Sequence, residues 1–396
     1  MIPVIVLKPG RQRSVLRRHP WIFSGAVAKV KGDPGPGVSV DVVSSDGVWL
    51  ARGAYSPNSQ ILVRIWTFDE KEDVSEGFFR SRIQKALDMR THLLKDSHQG
   101  ACRLINSESD GLPGVIVDFY SGFLVCQVLT AGGEFWKEAI LKQLGSLISN
   151  DGIYERSDAD VRLKEGLSTI SGIISGKMPP DLIEIREGQC RFLVDVKHGH
   201  KTGFYLDQRE NRATVAEYAK GLRVLNCFSY TGGFAVHSLM AGAGHVTNVD
   251  SSLDALRLAE QNIALNNINT DRVENITGDV FRVLRKFRDS GICFDMVILD
   301  PPKFADSMGS LKKAGRGYKD INLLAQKLLF PGGMLCTFCC SGLVTRELFQ
   351  KIVSDAAIDA GRDVRIVRWL TQAQDHPCGV NFPEGIYLKG LICRVW

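Results

Sequence analysis

The chain of 396 residues contains no run of about 18 consecutive apolar residues, which excludes an ordinary membrane-spanning helix. It has no disulfide-like framework either. Its 10 cysteines are scattered, as unpaired thiols of a reducing compartment are. There is no low-complexity tract and no internal repeat. With 44% hydrophobic and 23% charged residues, a disordered, collagen-like or coiled-coil chain is excluded. The opening Met1-Ile-Pro-Val-Ile-Val-Leu7 has no basic stretch before its apolar run and no small-residue cleavage site. It does not read as a signal peptide, and the cytoplasm is the expected compartment. Two nucleotide-binding strings are also missing. Without G-x-x-x-x-G-K-[S/T] a phosphate-cradling P-loop is disfavoured, and without G-x-G-x-x-G so is a dinucleotide site.

What is present begins with charge. The net charge of +5 is mild, but residues 1–32 hold seven Lys or Arg and no acid. A basic patch of this kind suits a polyanion; its structural alternative is a solvated face. Residues 1–70 carry +4, residues 71–190 carry −4 and residues 191–396 carry +5.

The same boundaries appear in the pattern. Residues 1–70 read as short strands, including Val38 to Val43 and Ile61 to Phe68, punctuated by Asp33-Pro-Gly-Pro-Gly37. A small β-barrel or curled sheet is expected there. Residues 71–190 read as a small α+β domain. Helices are expected at Val74 to Leu94 and Glu134 to Ile148, strands at Val115–Phe119 and Phe123–Leu129, and a connection at Gly172 to Pro180. From about residue 222, strands alternate with helices. The strands are Val224–Phe228, Val246–Asp250, Val273–Asp279, Phe294–Asp300 and Gly333–Cys340, with helices at Ser252 to Asn266 and Ile321 to Leu329. This alternation specifies a doubly wound parallel sheet, an α/β fold of Rossmann-like plan at residues 191–396.

Ligands of such sheets sit beyond the carboxyl ends of the strands. The first strand runs into Phe228-Ser-Tyr-Thr-Gly-Gly-Phe234, whose Gly232 and Gly233 allow close backbone approach. The second ends at Asp250, eighteen residues after Gly232, where an acid that holds a ribose diol belongs. The third leads to Asp279, the fourth to Asp300-Pro-Pro-Lys-Phe304, the fifth to Cys340-Ser341. Each has a plain alternative: Asp250 or Asp279 could cap the following helix, and Pro301-Pro302 could simply stop a strand. As an ordered set on successive strand ends they point to a nucleoside ligand without pyrophosphate.

Longer strings carry a resemblance. Leu7-Lys-Pro-Gly-Arg11 and His19-Pro-Trp-Ile-Phe23 stand at the start, and Ser109-Asp-Gly-Leu-Pro-Gly114 and Ile153-Tyr-Glu-Arg-Ser-Asp158 in the middle. Lys201-Thr-Gly-Phe-Tyr-Leu-Asp-Gln-Arg-Glu-Asn-Arg212 precedes the first sheet strand. Together with Cys227–Phe234 and Asp300–Phe304, the chain resembles, over its whole length, the bacterial ribosomal RNA large-subunit cytosine-5 methyltransferases with an N-terminal PUA domain. These belong to the class I S-adenosylmethionine-dependent methyltransferases. The strings at 201–212 and 227–234 are specific; Asp-Pro-Pro is shared by several nucleic-acid methyltransferase groups.

The resemblance implies S-adenosyl-L-methionine as cofactor and large-subunit ribosomal RNA as partner. It implies that Tyr230, Thr231, Gly232 and Gly233 line the cofactor's methionine side and that Asp250 holds the ribose. Asp279 would lie near the adenine edge, and Phe204, Gln208 and Arg209 would flank the cofactor. It also implies RNA binding by residues 1–70, where Lys8, Arg11, Arg13, Arg17 and Arg18 are the basic candidates. The −4 of the middle segment argues against broad phosphate contact there.

Cytosine C5 is a poor nucleophile. Enzymes that methylate it first add a thiolate to C6, and a second group stabilises the ring at N3. Cys340 is the expected nucleophile and Asp300 the expected N3 contact; the proton-abstracting base is not identifiable. Cys336 and Cys339 read as core, and alternation sets Cys339 on the face opposite Cys340. The spacing Cys336-Thr-Phe-Cys339 has only His376-Pro-Cys378 as a distant complement, so no metal is expected. The stretch after Asp300 is read as a basic loop with an aromatic, in which Lys303, Arg316 and Tyr318 contact phosphate or stack on a base. Two alternatives stay open: a guanine N7 or N2 RNA methyltransferase that needs no cysteine, and a non-catalytic RNA-binding assembly factor.

Overall fold

The computed structural model describes residues 2–94, 100–305 and 307–396. The chain divides into two compact units. One comprises Met1–Ile185, Val194–Leu206 and Gln374–Gly385; the other comprises Arg186–Leu193, Asp207–Ala373 and Ile386–Trp396.

The first unit opens with β1 (Val4–Leu7), the short helix α1 (Arg13–Leu16), β2 (Trp21–Phe23), β3 (Val27–Lys31), β4 (Ser39–Val43), β5 (Trp49–Tyr55) and β6 (Ile61–Thr67). They form one six-stranded sheet in the order β2-β6-β5-β4-β1-β3. Only β1 and β4 run parallel. Alternating residues Ile5, Leu7, Val40, Val42, Val63 and Ile65 face one core, as strand periodicity requires.

A second sheet follows helix α2 (Glu76–Leu94). It is built from β7 (Ala101–Asn106), β8 (Val115–Tyr120), β9 (Phe123–Val128), β10 (Gly152–Ser157) and β11 (Ile170–Gly176) in the order β11-β10-β9-β8-β7. Helices α3 (Ala131–Phe135) and α4 (Lys137–Leu147) join β9 to β10, and α5 (Val161–Lys164) joins β10 to β11. Two expectations are corrected here. Part of the expected connection at 172–180 is the edge strand β11. The expected helix from 134 to 148 starts earlier and is broken at Trp136. Packing draws α3 in close: a Cβ on Gly132 would sit 2.3 Å from the Ala54 Cβ of β5.

That contact also explains why residue 70 separates two sheets but not two units. Arg64 of β6 pairs with the buried Glu165 at 2.8 Å, and the Trp21 indole donates to Glu108 at 2.8 Å. The segment 374–385 is pinned into the same unit from far along the chain. Arg90, paired with Asp110 at 2.8 Å with both side chains 1% exposed, donates to the Asp375 carbonyl oxygen at 3.0 Å.

A hairpin of β12 (Ile183–Glu187) and β13 (Cys190–Val194) leads on to the second unit. There α6 (Arg209–Ala216) precedes β14 (Arg223–Cys227), α7 (Gly233–Met240), β15 (His245–Asp250), α8 (Leu253–Leu265), β16 (Val273–Thr277), α9 (Val280–Asp289), β17 (Phe294–Leu299), α10 (Leu311–Lys327), β18 (Leu329–Cys339), α11 (Arg346–Ala360), β19 (Val364–Leu370) and β20 (Lys389–Val395). The seven-stranded sheet has the order β16-β15-β14-β17-β18-β20-β19. The first five strands are parallel, and β20 lies antiparallel between β18 and β19. This is the expected doubly wound α/β sheet, and its last two strands, β19 and β20, went unforeseen. Chain order reverses between β14 and β17, which opens a crevice at their carboxyl ends. An amide ladder fixes the register on the other flank: Asn226 donates to Asn248 and Asn248 to Asn275, each at 2.9 Å.

Among the described residues, no helix is long and apolar enough to cross a membrane. The buried Arg90–Asp110 pair gives a stability test. Arg90→Ala leaves the buried Asp110 without its partner and is expected to cost about 3–5 kcal/mol. Arg257→Ala, which breaks an exposed pair with Asp254, should cost less than about 1 kcal/mol. Urea-denaturation midpoints compare the two; equal shifts would contradict the account.

Candidate active site

The site is assembled from strand ends. After β14 the chain turns through Phe228-Ser-Tyr-Thr-Gly-Gly233. Phe228 and Tyr230 are non-glycine residues at φ 59° and 46°, and Gly232 is at φ 80°. A side chain in that region costs about 1–3 kcal/mol and persists only where its surroundings hold it. Here they do. Asp250, at the end of β15, accepts from the Tyr230 N–H at 2.8 Å and from the Ser252 N–H at 2.9 Å. Asn262 of α8 donates to the Thr231 carbonyl oxygen at 2.9 Å.

The glycines answer to the protein's own packing as well. A Cβ on Gly232 would lie 3.0 Å from the Ala259 Cβ, and one on Gly233 would lie 2.9 Å from the Arg212 side chain. Arg212 is buried, bonded to Glu187, which His237 also contacts at 3.1 Å. Although burial opposes its charge, Arg212 and His237 hold the Glu187 carboxyl down to about 2.

The helix-capping alternatives resolve differently for the two acids. Ser252, not Asp250, caps α8. Asp279 does cap α9, accepting from the Arg282 N–H at 2.9 Å, and it remains exposed.

Asp300 follows β17, and a relay of amides holds it. Asn211 donates to the Gln208 amide oxygen at 2.6 Å, and Gln208 donates to Asp300 at 2.9 Å. Burial and the like charge of Asp207 push the Asp300 carboxyl up to about 7, against the pull of Gln208 and Arg212. Asp207 itself accepts from the Tyr387 hydroxyl at 2.7 Å. Beside β17, β18 delivers Cys340, whose Sγ lies 3.7 Å from the Pro301 carbonyl oxygen. Cys340 is partly exposed, whereas Cys336 and Cys339 are fully buried.

The structure thus brings Gln208, Tyr230, Thr231, Gly232, Gly233, Asp250, Asp300 and Cys340 into one unit, Gln208 from the turn before α6 and the others from the segments that leave strand ends. Arg209 begins α6 next to Gln208 and touches Glu210 at 3.7 Å. Phe204 falls in the other unit, buried, with its carbonyl oxygen 3.5 Å from the Tyr120 hydroxyl. Lys8, Arg11, Arg13, Arg17 and Arg18 are exposed on the first unit, and Lys303 and Arg316 on the second.

Tyr318 is a correction. It does not sit in a loop but on α10, whose apolar face Ala314, Tyr318, Ile321 and Ala325 extends the helix ten residues earlier than expected, through Gly315 and Gly317. Tyr318 is 0% exposed and packs 4.6 Å from the Phe304 ring, so it cannot stack on a base. Sequence reasoning also missed Asp207, Asn211 and Tyr387. The first two lie inside the specific string at 201–212, which was the available signal.

The crevice fits an adenosyl cofactor on an observation of its own. The buried hydroxyls of Ser229 and Thr231, in the turn after β14, find no partner among the described residues. A polar ligand there would satisfy them. Comparison with known proteins decides the class. Residues 167–370 match the family model of S-adenosylmethionine-dependent methyltransferases, and residues 5–68 match a PUA-like domain.

The chain belongs to the S-adenosylmethionine-dependent methyltransferases.

Its cofactor is S-adenosylmethionine. It is 52% identical over 391 residues to the ribosomal RNA large subunit methyltransferase I of Cronobacter sakazakii, covering 99% of each chain. The protein of the same name from Shewanella amazonensis is 52% identical, again over 99% of each chain. The crystal structure of SMU.776 complexed with SAH shares the fold, with a TM-score of 0.87 at 21% identity over 100% of both chains.

The raised Asp300 carboxyl has a consequence for stability. Between the ordinary carboxylate range and about 7 the folded methyltransferase holds a proton that the unfolded chain has lost, so stability falls as pH rises through that window. Asp300→Asn, which stays neutral, is expected to melt higher than the parent at mildly alkaline pH, with the gap closing toward acid. Thermal unfolding at several pH values checks this; a gap independent of pH would contradict it.

Proposed function

We propose that this methyltransferase acts on C5 of a cytosine in large-subunit (23S) ribosomal RNA, through a covalent bond between Cys340 and C6. The substrate class is supported by relatives named for the large ribosomal subunit and by the exposed cations Lys8, Arg11, Arg13, Arg17 and Arg18 of the PUA-like region. The base and atom are supported by a single observation: a partly exposed thiol, Cys340, lies 3.7 Å from the chain segment that carries Asp300. Methylation at guanine N7 or N2 gives no use for that pairing.

S-adenosylmethionine supplies an electrophilic methyl group when bound. The turn Tyr230 to Gly233 would hold its methionine side, with Ser229 and Thr231 offering hydroxyls, while Asp250 would take the ribose and Asp279 the adenine edge. Gln208 and Arg209 would flank it. The chain's own part is to prepare the base. The Cys340 sulfur bonds to C6, and the ring electrons this displaces make C5 nucleophilic. Asp300, held up to about 7, keeps a proton in part of the population at neutral pH and donates it toward N3 as charge builds there. The amide relay from Asn211 through Gln208 fixes the carboxyl's orientation for that contact. Once C5 carries the methyl group it gives up its proton to solvent, the C5–H pair restores the C5–C6 double bond, the S–C6 pair returns to Cys340 and N3 gives its proton back to Asp300. Lys303 and Arg316 are the phosphate contacts proposed for this unit. A target in a paired region must be extruded from its stack to reach the thiol.

Trapping tests the reading. RNA with 5-fluorocytidine at the target cannot lose the C5 substituent as a proton. It should therefore leave a denaturation-stable adduct with the parent protein and none with Cys340→Ser. An adduct that forms equally on Cys340→Ser would refute the assignment.

A further inference from the structure

Lys389 is the first residue of β20 and lies opposite Cys339 of β18. Only 5% of it is exposed. Its Nζ donates to the Ser341 carbonyl oxygen at 2.6 Å, and among the described residues no carboxylate pairs with it. A buried ammonium without a counter-charge is costly to keep. Two thiols of β18 and the residue after it act on this ammonium: Cys339, its cross-strand neighbour, and Cys340, which precedes the Ser341 carbonyl that the ammonium holds. Behind those thiols lies the Tyr318 hydroxyl from α10, which burial keeps protonated. Burial draws the Lys389 ammonium below the ordinary lysine value, and the two thiols draw it back up. The same attraction must lower a thiol. Of the two, Cys339 is sealed in the core, where burial raises it against the pull of Tyr318, Ser341 and Lys389. Cys340 is partly exposed at the strand end.

We infer that Lys389 is a positioning residue for the nucleophile: its ammonium is the counter-charge that holds Cys340 as the thiolate, the thiol proton having left to solvent. The inference rests on Cys340 being the nucleophile proposed above. It assigns a purpose to a buried cation that neither cofactor binding nor the Asp300 contact uses. The same charge stabilises sulfur again when the S–C6 bond breaks.

The test is the pH dependence of Cys340 alkylation by iodoacetamide, read by peptide mass spectrometry on the full chain. A Cys339→Ala background removes the adjacent thiol from the readout. The Lys389-containing protein should inflect well below the ordinary thiol value of about 8.5. Lys389→Met should move the inflection up, slowing alkylation at neutral pH about tenfold per unit of movement. Lys389→Arg should restore it. An inflection unchanged in Lys389→Met overturns the inference. So does an inflection at or above the ordinary value in the Lys389-containing protein, which needs no substitution at 389 to fold. If Cys340→Ala methylates RNA at the parent rate, the C5 reading fails and takes the role of Lys389 with it. An unshifted titration beside normal 5-fluorocytidine trapping retires Lys389 alone.

Discussion

The parallel register of β17 on β18 is the constraint on which the site depends. Leu299 pairs with Thr337, so the two strands end side by side and the segments leaving them must meet. Asp300-Pro-Pro leaves one strand and Cys340-Ser leaves the other. Neither chemical group has to search for its partner, because the ladder has already placed them. The same logic operates across the switch point. β14 and β15 end together, which lets Asp250 grasp the strained Tyr230 turn. The Tyr230 turn with Asp250, and Cys340 beside the Asp300 segment, are thus two consequences of one sheet order.

Charge within this unit is set by pairing at one buried carboxylate and by burial at another. Glu187 is kept ionised by Arg212 and His237, which packs Arg212 firmly against Gly233. Asp300 is treated oppositely. Buried beside a second carboxylate, Asp207, and bonded to the neutral Gln208 amide, it is kept near the point of protonation. Two buried carboxylates of one unit are thus pushed in opposite directions, Glu187 toward the charged form and Asp300 toward the protonated one.

Much of this was legible in the sequence. The five parallel strands show as short apolar runs, and each gives way to a residue of evident chemistry at its carboxyl end. The specific strings around 201–212 and 227–234 locate the turn and Gln208. What stayed hidden depends on contacts remote in sequence. Tyr318 looks like a loop aromatic because Gly315 and Gly317 weaken the helical signal, yet Gly317 is what admits the Phe304 ring, 3.3 Å from where its Cβ would be. Lys389 carries no local signal of burial; the antiparallel insertion of β20 beside β18 buries it. The fusion of the PUA-like sheet with the middle segment rests on Gly132 against Ala54 and on Arg64 with Glu165, pairs that no local pattern reveals.

The central claim is that the thiol beside Asp300 is there to activate a cytosine. The most direct measurement is the identity of the product. The protein is incubated with labelled S-adenosylmethionine and unmodified large-subunit ribosomal RNA, the RNA is digested, and the labelled nucleoside is identified by mass spectrometry. The account predicts 5-methylcytidine. A methylguanosine would contradict it: the fold and cofactor would stand, and Cys340 would return to being one more cysteine at the end of a strand.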